Sequence, residues 1–286
     1  MITPSTKVCA IIGNPVEHSL SPLIHNAAFR ECGIDYIYCA FRVIDENLKH
    51  AMNGFRALEQ LKGLSITIPH KIQIMPYLDW IEGGASFIGS INTVLKEEDK
   101  VKGYNTDGSG AMEALKEAGI EINEKKIVIV GTGGVARGIA FNLLHVHNPH
   151  SLAIVGRTPE KVKRLENDLQ NLNRAPITTS SFDQKSLQGE IAQADILIQC
   201  TSVGMWPHRE DTPLPAEFLH KDLVVFDTIY TPLKTKLIMD AETKGCTVVP
   251  GLTMFINQAC LQFTLWTKTK APKAVMYKTA LDALKE

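Results

Sequence analysis

The sequence carries no excess of one charge: 30 Lys and Arg stand against 31 Asp and Glu, a formal net charge of −1 over 286 residues. So even a balance offers nothing general to nucleic-acid phosphates or an anionic membrane, and no charged run or tail makes a local patch. Long apolar stretches are also missing, and none reaches the roughly 18 residues that would suggest a membrane-crossing helix. The opening Met-Ile-Thr-Pro-Ser-Thr-Lys has neither the basic stretch nor the apolar core of a secretion signal. Cysteine is sparse, at positions 9, 32, 39, 200, 246 and 260, and no two form a C-x-x-C pair. This spacing argues against a zinc site or redox motif. The six read as buried thiols in a reducing cytoplasm. No metal-ligand cluster, internal repeat or low-complexity segment stands out. The expectation is a cytoplasmic protein that binds no metal, nucleic acid or membrane and acts on a small molecule.

What is present is an ordinary globular composition, 44% hydrophobic and 21% charged, in a chain long enough for two domains. Short β-rich runs alternate with longer amphipathic ones, the pattern of an α/β protein with mostly parallel sheets. In the first half, strands are expected near 7–12, 36–43, 64–68, 90–95 and 102–104, and helices near 21–32, 46–60 and 108–118. Ser21 is the expected N-cap of the first helix, with Pro22 at its first position. The second half opens on Lys126-Ile127-Val128-Ile129-Val130, which reads as a strand covered on both faces. A helix near 135–144, a strand at 151–155, a helix at 160–171 and strands at 177–180, 195–200, 223–227 and 247–249 follow, with a helix at 234–243 before the last. Two helices, near 253–267 and 274–284, close the chain. The domain boundary falls between about 104 and 125, and periodicity leaves open which domain the closing helices join.

Gly131-Thr132-Gly133-Gly134-Val135-Ala136 fits G-x-G-x-x-A between a strand and a helix, the setting that gives this pattern its meaning. Gly131 allows the tight turn, Gly133 lets the backbone approach a pyrophosphate, and Ala136 lets helix and sheet pack closely. The helix start then presents free N–H groups and partial positive charge to the phosphates. A dinucleotide site for NAD usually places a carboxylate after the second strand. Here that strand leads into Gly156-Arg157-Thr158-Pro159-Glu160-Lys161. Arg157 and Lys161 suit a 2′-phosphate, Thr158 can donate to it, and Glu160 is expected in the first turn of the next helix. NADP is therefore expected in preference to NAD.

Hydride transfer at a C–OH carbon needs a group to handle the hydroxyl proton. Thr67-Ile68-Pro69-His70-Lys71 puts a lysine just past a buried strand, and Asn105-Thr106-Asp107-Gly108 puts an aspartate at a helix start. Lys71 and Asp107 are the candidate pair. His18, His25 and His70 are minor alternatives, with His70 and Lys71 expected to point apart as neighbours on a strand end. Met205 and Trp206 are read as packing residues.

These residues carry a resemblance. The chain resembles the shikimate and quinate dehydrogenases along nearly its whole length. It does so through 13–22 (Gly-Asn-Pro-Val-Glu-His-Ser-Leu-Ser-Pro), 67–71, Ile91-Asn92-Thr93-Val94 and Gly103-Tyr104-Asn105-Thr106-Asp107-Gly108. Further on it does so through the glycine loop, Arg157-Thr158, Thr201-Ser202-Val203-Gly204-Met205, Asp227-Thr228-Ile229-Tyr230-Thr231-Pro232 and Gly251-Leu252-Thr253-Met254. The resemblance implies an N-terminal α/β substrate domain over 1–106 completed by helices in 252–286. It implies a Rossmann-type doubly wound NADP domain over 107–251, with an active-site cleft between the two. It implies Ser19 and Ser21 on a substrate carboxylate, and Thr67, Asn92, Tyr230 and Gln258 on ring hydroxyls or carboxylate. Lys71 and Asp107 would contact the substrate as the proton-handling pair. Thr228, Gly251 and Met254 would line the nicotinamide pocket, with Thr201 also near the cofactor. The implied activity is reversible NADPH-dependent reduction of 3-dehydroshikimate to shikimate, in aromatic amino-acid biosynthesis, by a monomer or homodimer. A quinate or dual-substrate dehydrogenase is the alternative within the class, and a non-catalytic sensor of the acid or dinucleotide the alternative outside it. The family usually has Asn where Ser65 stands, Ala at Ser90, Asn at Gly156 and Asn-Ala at Gln199-Cys200.

Overall fold

The structure is a computed structural model and describes residues 2–172 and 174–285. It divides into two compact units. One holds the chain up to Thr106 together with residues from Ile256 onward, and the other spans Asp107–Phe255.

In the first unit the order is β1 (Lys7–Gly13), α1 (Ser21–Glu31), β2 (Tyr36–Arg42), α2 (Leu48–Ala57), β3 (Leu61–Ile66), α3 (His70–Gln73), β4 (Trp80–Ile81), α4 (Gly83–Ile88), β5 (Thr93–Glu97) and β6 (Lys100–Tyr104). Its sheet runs β2-β1-β3-β5-β6-β4. β5 lies antiparallel to both β3 and β6, so this sheet is mixed, within an overall pattern expected to be mostly parallel. Three of its neighbouring pairs are parallel. One face is covered by an apolar cluster that includes Ile12, Met52, Phe55, Ile66 and Val94.

The second unit holds α5 (Asp107–Glu117), β7 (Lys126–Val130), α6 (Gly134–Val146), β8 (Ser151–Gly156), α7 (Pro159–Gln170), β9 (Ile177–Ser181), α8 (Gln184–Ile191), β10 (Ile196–Gln199), β11 (Val224–Asp227), α9 (Lys236–Thr243) and β12 (Thr247–Pro250). All five strand pairs are parallel, in the order β12-β11-β10-β7-β8-β9. Strand order therefore reverses between β7 and β10. That is the topological switch point, where doubly wound sheets bind ligands at the carboxyl ends of their strands. The chain closes with α10 (Gly251–Thr267) and α11 (Lys273–Ala283). The resemblance implies a return to the first unit at 252, whereas the units part at 255/256, inside α10. From there α10 seats on the first sheet, where Trp266 Nε1 donates to the Val94 carbonyl at 2.9 Å.

Several local expectations are corrected. Leu20, not Ser21, holds the N-cap position of α1; Ser21 is already helical, and its N–H donates to Ser19 Oγ at 3.2 Å. β5 starts at Thr93, because Ser90–Asn92 bridge out of the left-handed Gly89 that ends α4. His70 and Lys71 sit in the single turn α3. Among the described residues no cysteine forms a disulfide, and only Cys9 is fully buried while the other five are partly exposed. Met205 and Trp206 are 42% and 44% exposed, so they are not core packing. Trp206 instead carries the Arg209 guanidinium 4.2 Å above its ring. α4 and α8 were not expected. α8 has a legible start in Asp183, whose carboxylate accepts from the Ser186 N–H at 3.0 Å.

Candidate active site

In the first unit, the ends of β1 and β3 are stitched together. The Asn14 N–H donates to the Ile68 carbonyl at 2.9 Å, and the Thr67 N–H to the Ile12 carbonyl at 3.0 Å. The Ser19–Ser21 loop and the Thr67–Lys71 turn thus leave neighbouring strand ends. Ser21 is buried, and Ser19 is half-buried with its oxygen accepting at the start of α1. Lys71 is half-buried, and its carbonyl accepts the Ile91 N–H at 2.7 Å, which binds the turn to the approach into β5. His70 is fully buried with Nε2 2.7 Å from the Val43 carbonyl, a structural commitment that sets it apart from Lys71.

Asn92 is almost wholly buried. Its Nδ2 donates to Thr106 Oγ1 at 2.9 Å, and its Oδ1 accepts the Thr106 N–H at 2.8 Å. The carboxamide expected to meet substrate therefore also fixes the residue immediately before Asp107. Asn92 is held in turn by α10: Gln262 Nε2 donates to the Asn92 carbonyl at 3.2 Å and to Thr93 Oγ1 at 2.9 Å. Gln262 Oε1 accepts from Ser65 Oγ at 2.8 Å, and Ser65 accepts from the Tyr38 hydroxyl at 2.6 Å. Gln258 lies one turn earlier on the same side of α10. The sequence singles out Ser65 only as a departure from the family and gives Gln262 and Tyr38 no role, and no local pattern marks the three as partners. His25, fully buried, stacks on Tyr38 at 4.6 Å, and burial pushes its imidazole down to about 3.

In the second unit, Asp107 is buried at the first turn of α5. The glycine loop leaves β7 with Gly131 at φ +120°, a conformation that favours glycine. Gly133 is the N-cap of α6, and no side chain caps the helix there. Open space lies where a Gly133 side chain would point. Past β8, Arg157, Thr158 and Lys161 are exposed, and Thr158 occupies the N-cap of α7 without using its hydroxyl as a cap. Glu160 stands in the first turn of α7, as expected. Free helix N–H groups, an open glycine loop and an uncommitted Arg-Thr turn fit a dinucleotide with a 2′-phosphate.

Two residues that the reading of the sequence left without a role shape the other loops. Gln199, fully buried at the end of β10, donates to Thr201 Oγ1 at 2.9 Å and to the Val203 carbonyl at 3.2 Å, and accepts the Thr201 N–H at 3.0 Å. Its own carbonyl accepts the Thr228 hydroxyl at 2.9 Å. Asp227, also fully buried, accepts the Ile229 N–H at 3.0 Å and the Thr235 hydroxyl at 2.6 Å. Burial raises the Asp227 carboxyl to about 6 despite those two bonds. Tyr230 stacks on Phe255 at 4.2 Å, and burial pushes its phenol up to about 12. A side chain on Gly251 would come within 2.6 Å of the Thr228 carbonyl carbon, so the start of α10 can approach that loop only as glycine. Met254 is buried one turn on.

Three family models match in series. The shikimate dehydrogenase substrate binding domain covers residues 11–94, shikimate / quinate 5-dehydrogenase covers 112–206, and the shikimate 5′-dehydrogenase C-terminal domain covers 251–281. The shikimate dehydrogenase (NADP(+)) of Methanobrevibacter smithii is 45% identical over 288 aligned residues, covering 99% of each chain. The chain belongs to the shikimate dehydrogenase family. Among solved structures, a shikimate dehydrogenase in complex with NADP+ superposes with a TM-score of 0.93 at 40% identity, over 100% of this chain and 98% of the other. The shikimate 5-dehydrogenase from Listeria monocytogenes, in complex with shikimate and NAD, gives 0.87 at 36% identity over 97% of each. Against this family background, each departure has a local setting. Ser65 is bridged to Tyr38 and Gln262, and Gln199 knots its own loop. The Ser90 hydroxyl is buried with no partner among the described residues, and Gly156 lies under Thr132 and Val162.

Proposed function

We propose that this protein is a shikimate dehydrogenase, catalysing the reversible NADP-linked interconversion of 3-dehydroshikimate and shikimate in aromatic amino-acid biosynthesis. The similarity over 99% of both chains to a shikimate dehydrogenase (NADP(+)) carries this reading. The uncapped α6 start and the Arg157-Thr158 turn support NADP as the dinucleotide. Bound NADPH supplies the hydride. Lys71 and Asp107 handle the proton of the reacting hydroxyl. Ser19 and Ser21 bind the substrate carboxylate, and Thr67, Asn92, Tyr230 and Gln258 bind its other polar groups. A hydroxylated acid calls for this many donors and acceptors, because a polar group left unpaired in a closed site costs about 1–3 kcal/mol. Gly131–Ala136, Gly156–Thr158 and Lys161 hold the adenosine half of the dinucleotide, while Thr201, Thr228, Gly251 and Met254 line its nicotinamide end. Six cysteines without a disulfide among the described residues are consistent with a reducing cytoplasm. No helix among the described residues is long and apolar enough to cross a membrane. The proposed form is a monomer or homodimer.

Lys71→Ala and Asp107→Ala test the assignment. Each is expected to lower the rate of shikimate oxidation by roughly 10²–10⁴-fold with an unchanged melting curve. Near-wild-type rates in both variants would remove these residues from the mechanism.

A further inference from the structure

Thr132 is set apart from the rest of the glycine loop by what lies beneath it. β8 runs parallel to β7 and ends at Gly156, and the Gly131 N–H donates to the Val155 carbonyl at 2.8 Å. The loop is thereby held over the end of β8. A Cβ on Gly156 would lie 3.0 Å from Thr132 Cγ2 and 2.7 Å from Val162 Cγ2, with the Thr132 hydroxyl 4.0 Å away. The space that a side chain at the end of this strand would occupy is therefore already filled, in part by Thr132. In dinucleotide-binding sheets that strand end faces the adenosine ribose, and a carboxylate there reads its hydroxyls. Here the strand end has no side chain and no carboxylate. Its neighbours are the exposed Arg157 and Thr158, and Thr158 keeps its hydroxyl out of the α7 cap.

We infer that Thr132 is a cofactor-specificity residue: standing over Gly156, its hydroxyl donates to the 2′-phosphate of NADP in the place a strand-end side chain would hold. Gly156 is glycine because Thr132 and Val162 occupy its side-chain space, so the two positions form one recognition unit split between the glycine loop and β8. Arg157 brings charge to the phosphate, and Thr132 brings a directed donor from the glycine loop. This inference rests on the reading of the protein as an NADP enzyme, and the test separates the two.

The full-length protein is titrated with NADPH and with NADH, following nicotinamide fluorescence, as wild type, Thr132→Val and Thr132→Ser. Valine keeps the branched shape over Gly156 and removes only the hydroxyl; serine keeps the hydroxyl and removes the methyl. The expected result is a loss of about tenfold or more in NADPH affinity for Thr132→Val, the scale of a hydrogen bond to a charged group. NADH affinity should change less than about twofold, and Thr132→Ser should stay within about threefold of wild type for NADPH. NADPH affinity unchanged in Thr132→Val, or lost equally for NADPH and NADH, overturns the inference. So does a serine variant as weak as the valine one. If Thr132→Val fails to give a cooperative melting transition, Thr132→Ala replaces it under the same criteria. A wild-type protein that binds no NADPH defeats the underlying reading, an outcome distinct from all of these.

Discussion

At the scale of single residues, the buried His25 makes a claim with a definite sign. Its folded value of about 3 lies below the ordinary 6.5, so as pH falls the unfolded chain takes up the proton first. The contribution of a neutral His25 is complete above about pH 6.5. It is lost between there and about pH 3, at up to about 1.4 kcal/mol per pH unit. Denaturant unfolding of wild type and His25→Leu at several pH values checks this. The gap between the two should shift in favour of the variant as pH drops, whereas parallel pH profiles would show that His25 does not titrate this way. Arg157 makes the second residue-scale claim. Arg157→Ala should raise KM for NADP by roughly tenfold or more and leave KM for NAD nearly unchanged, because only NADP offers the 2′-phosphate. Steady-state kinetics with both dinucleotides decides it, and an equal rise for both would place Arg157 elsewhere. Arg157 and Lys161 were legible as a basic turn because they follow a strand directly. Gln262 was not legible, since its partner Ser65 is 197 residues away in sequence and periodicity says nothing about such pairs.

At the scale of elements, legibility follows the kind of sheet. The parallel strands of the second unit are covered on both faces and read as continuous apolar runs, so β7, β8, β10 and β11 were visible within a residue or two at most boundaries. The mixed sheet of the first unit was harder. β4 has two residues, α4 has six, and the β5–β6 hairpin turns on Glu98 at positive φ, without a glycine to mark it. The seating of α10 could not be derived from its own pattern, because the helix is apolar on most sides. The structure shows its anchor: Trp266 lies where a Cβ on Gly63 of β3 would overlap its indole. Gly63→Ala should therefore destabilise the protein by about 1–3 kcal/mol through overpacking, seen as a lower urea midpoint with unchanged slope. An unchanged midpoint would mean that α10 can shift away without cost. Because Gln262 and Gln258 share this helix, the same variant should also weaken shikimate binding.

At the scale of the whole molecule, the strand-order reversal at β7 and β10 and the loops after β7, β8, β10 and β11 support the proposal that the second unit holds the dinucleotide. The stitched ends of β1 and β3, with Asn92 and α10 behind them, support the proposal that the first unit holds the acid. The proposed division of labour follows the motif order of the sequence. The buried polar supports, Gln262 and Ser65 in one unit and Gln199 and Asp227 in the other, emerged only from the three-dimensional arrangement. The central claim, an NADP-linked shikimate dehydrogenase, is tested most directly by the near-ultraviolet absorbance of reduced nicotinamide. Purified protein is mixed with shikimate or quinate, and with NADP or NAD, in four combinations. The account predicts the highest kcat/KM for NADP reduction by shikimate. A preference for quinate would move the substrate assignment within the family, and no reduction in any of the four mixtures would contradict the account.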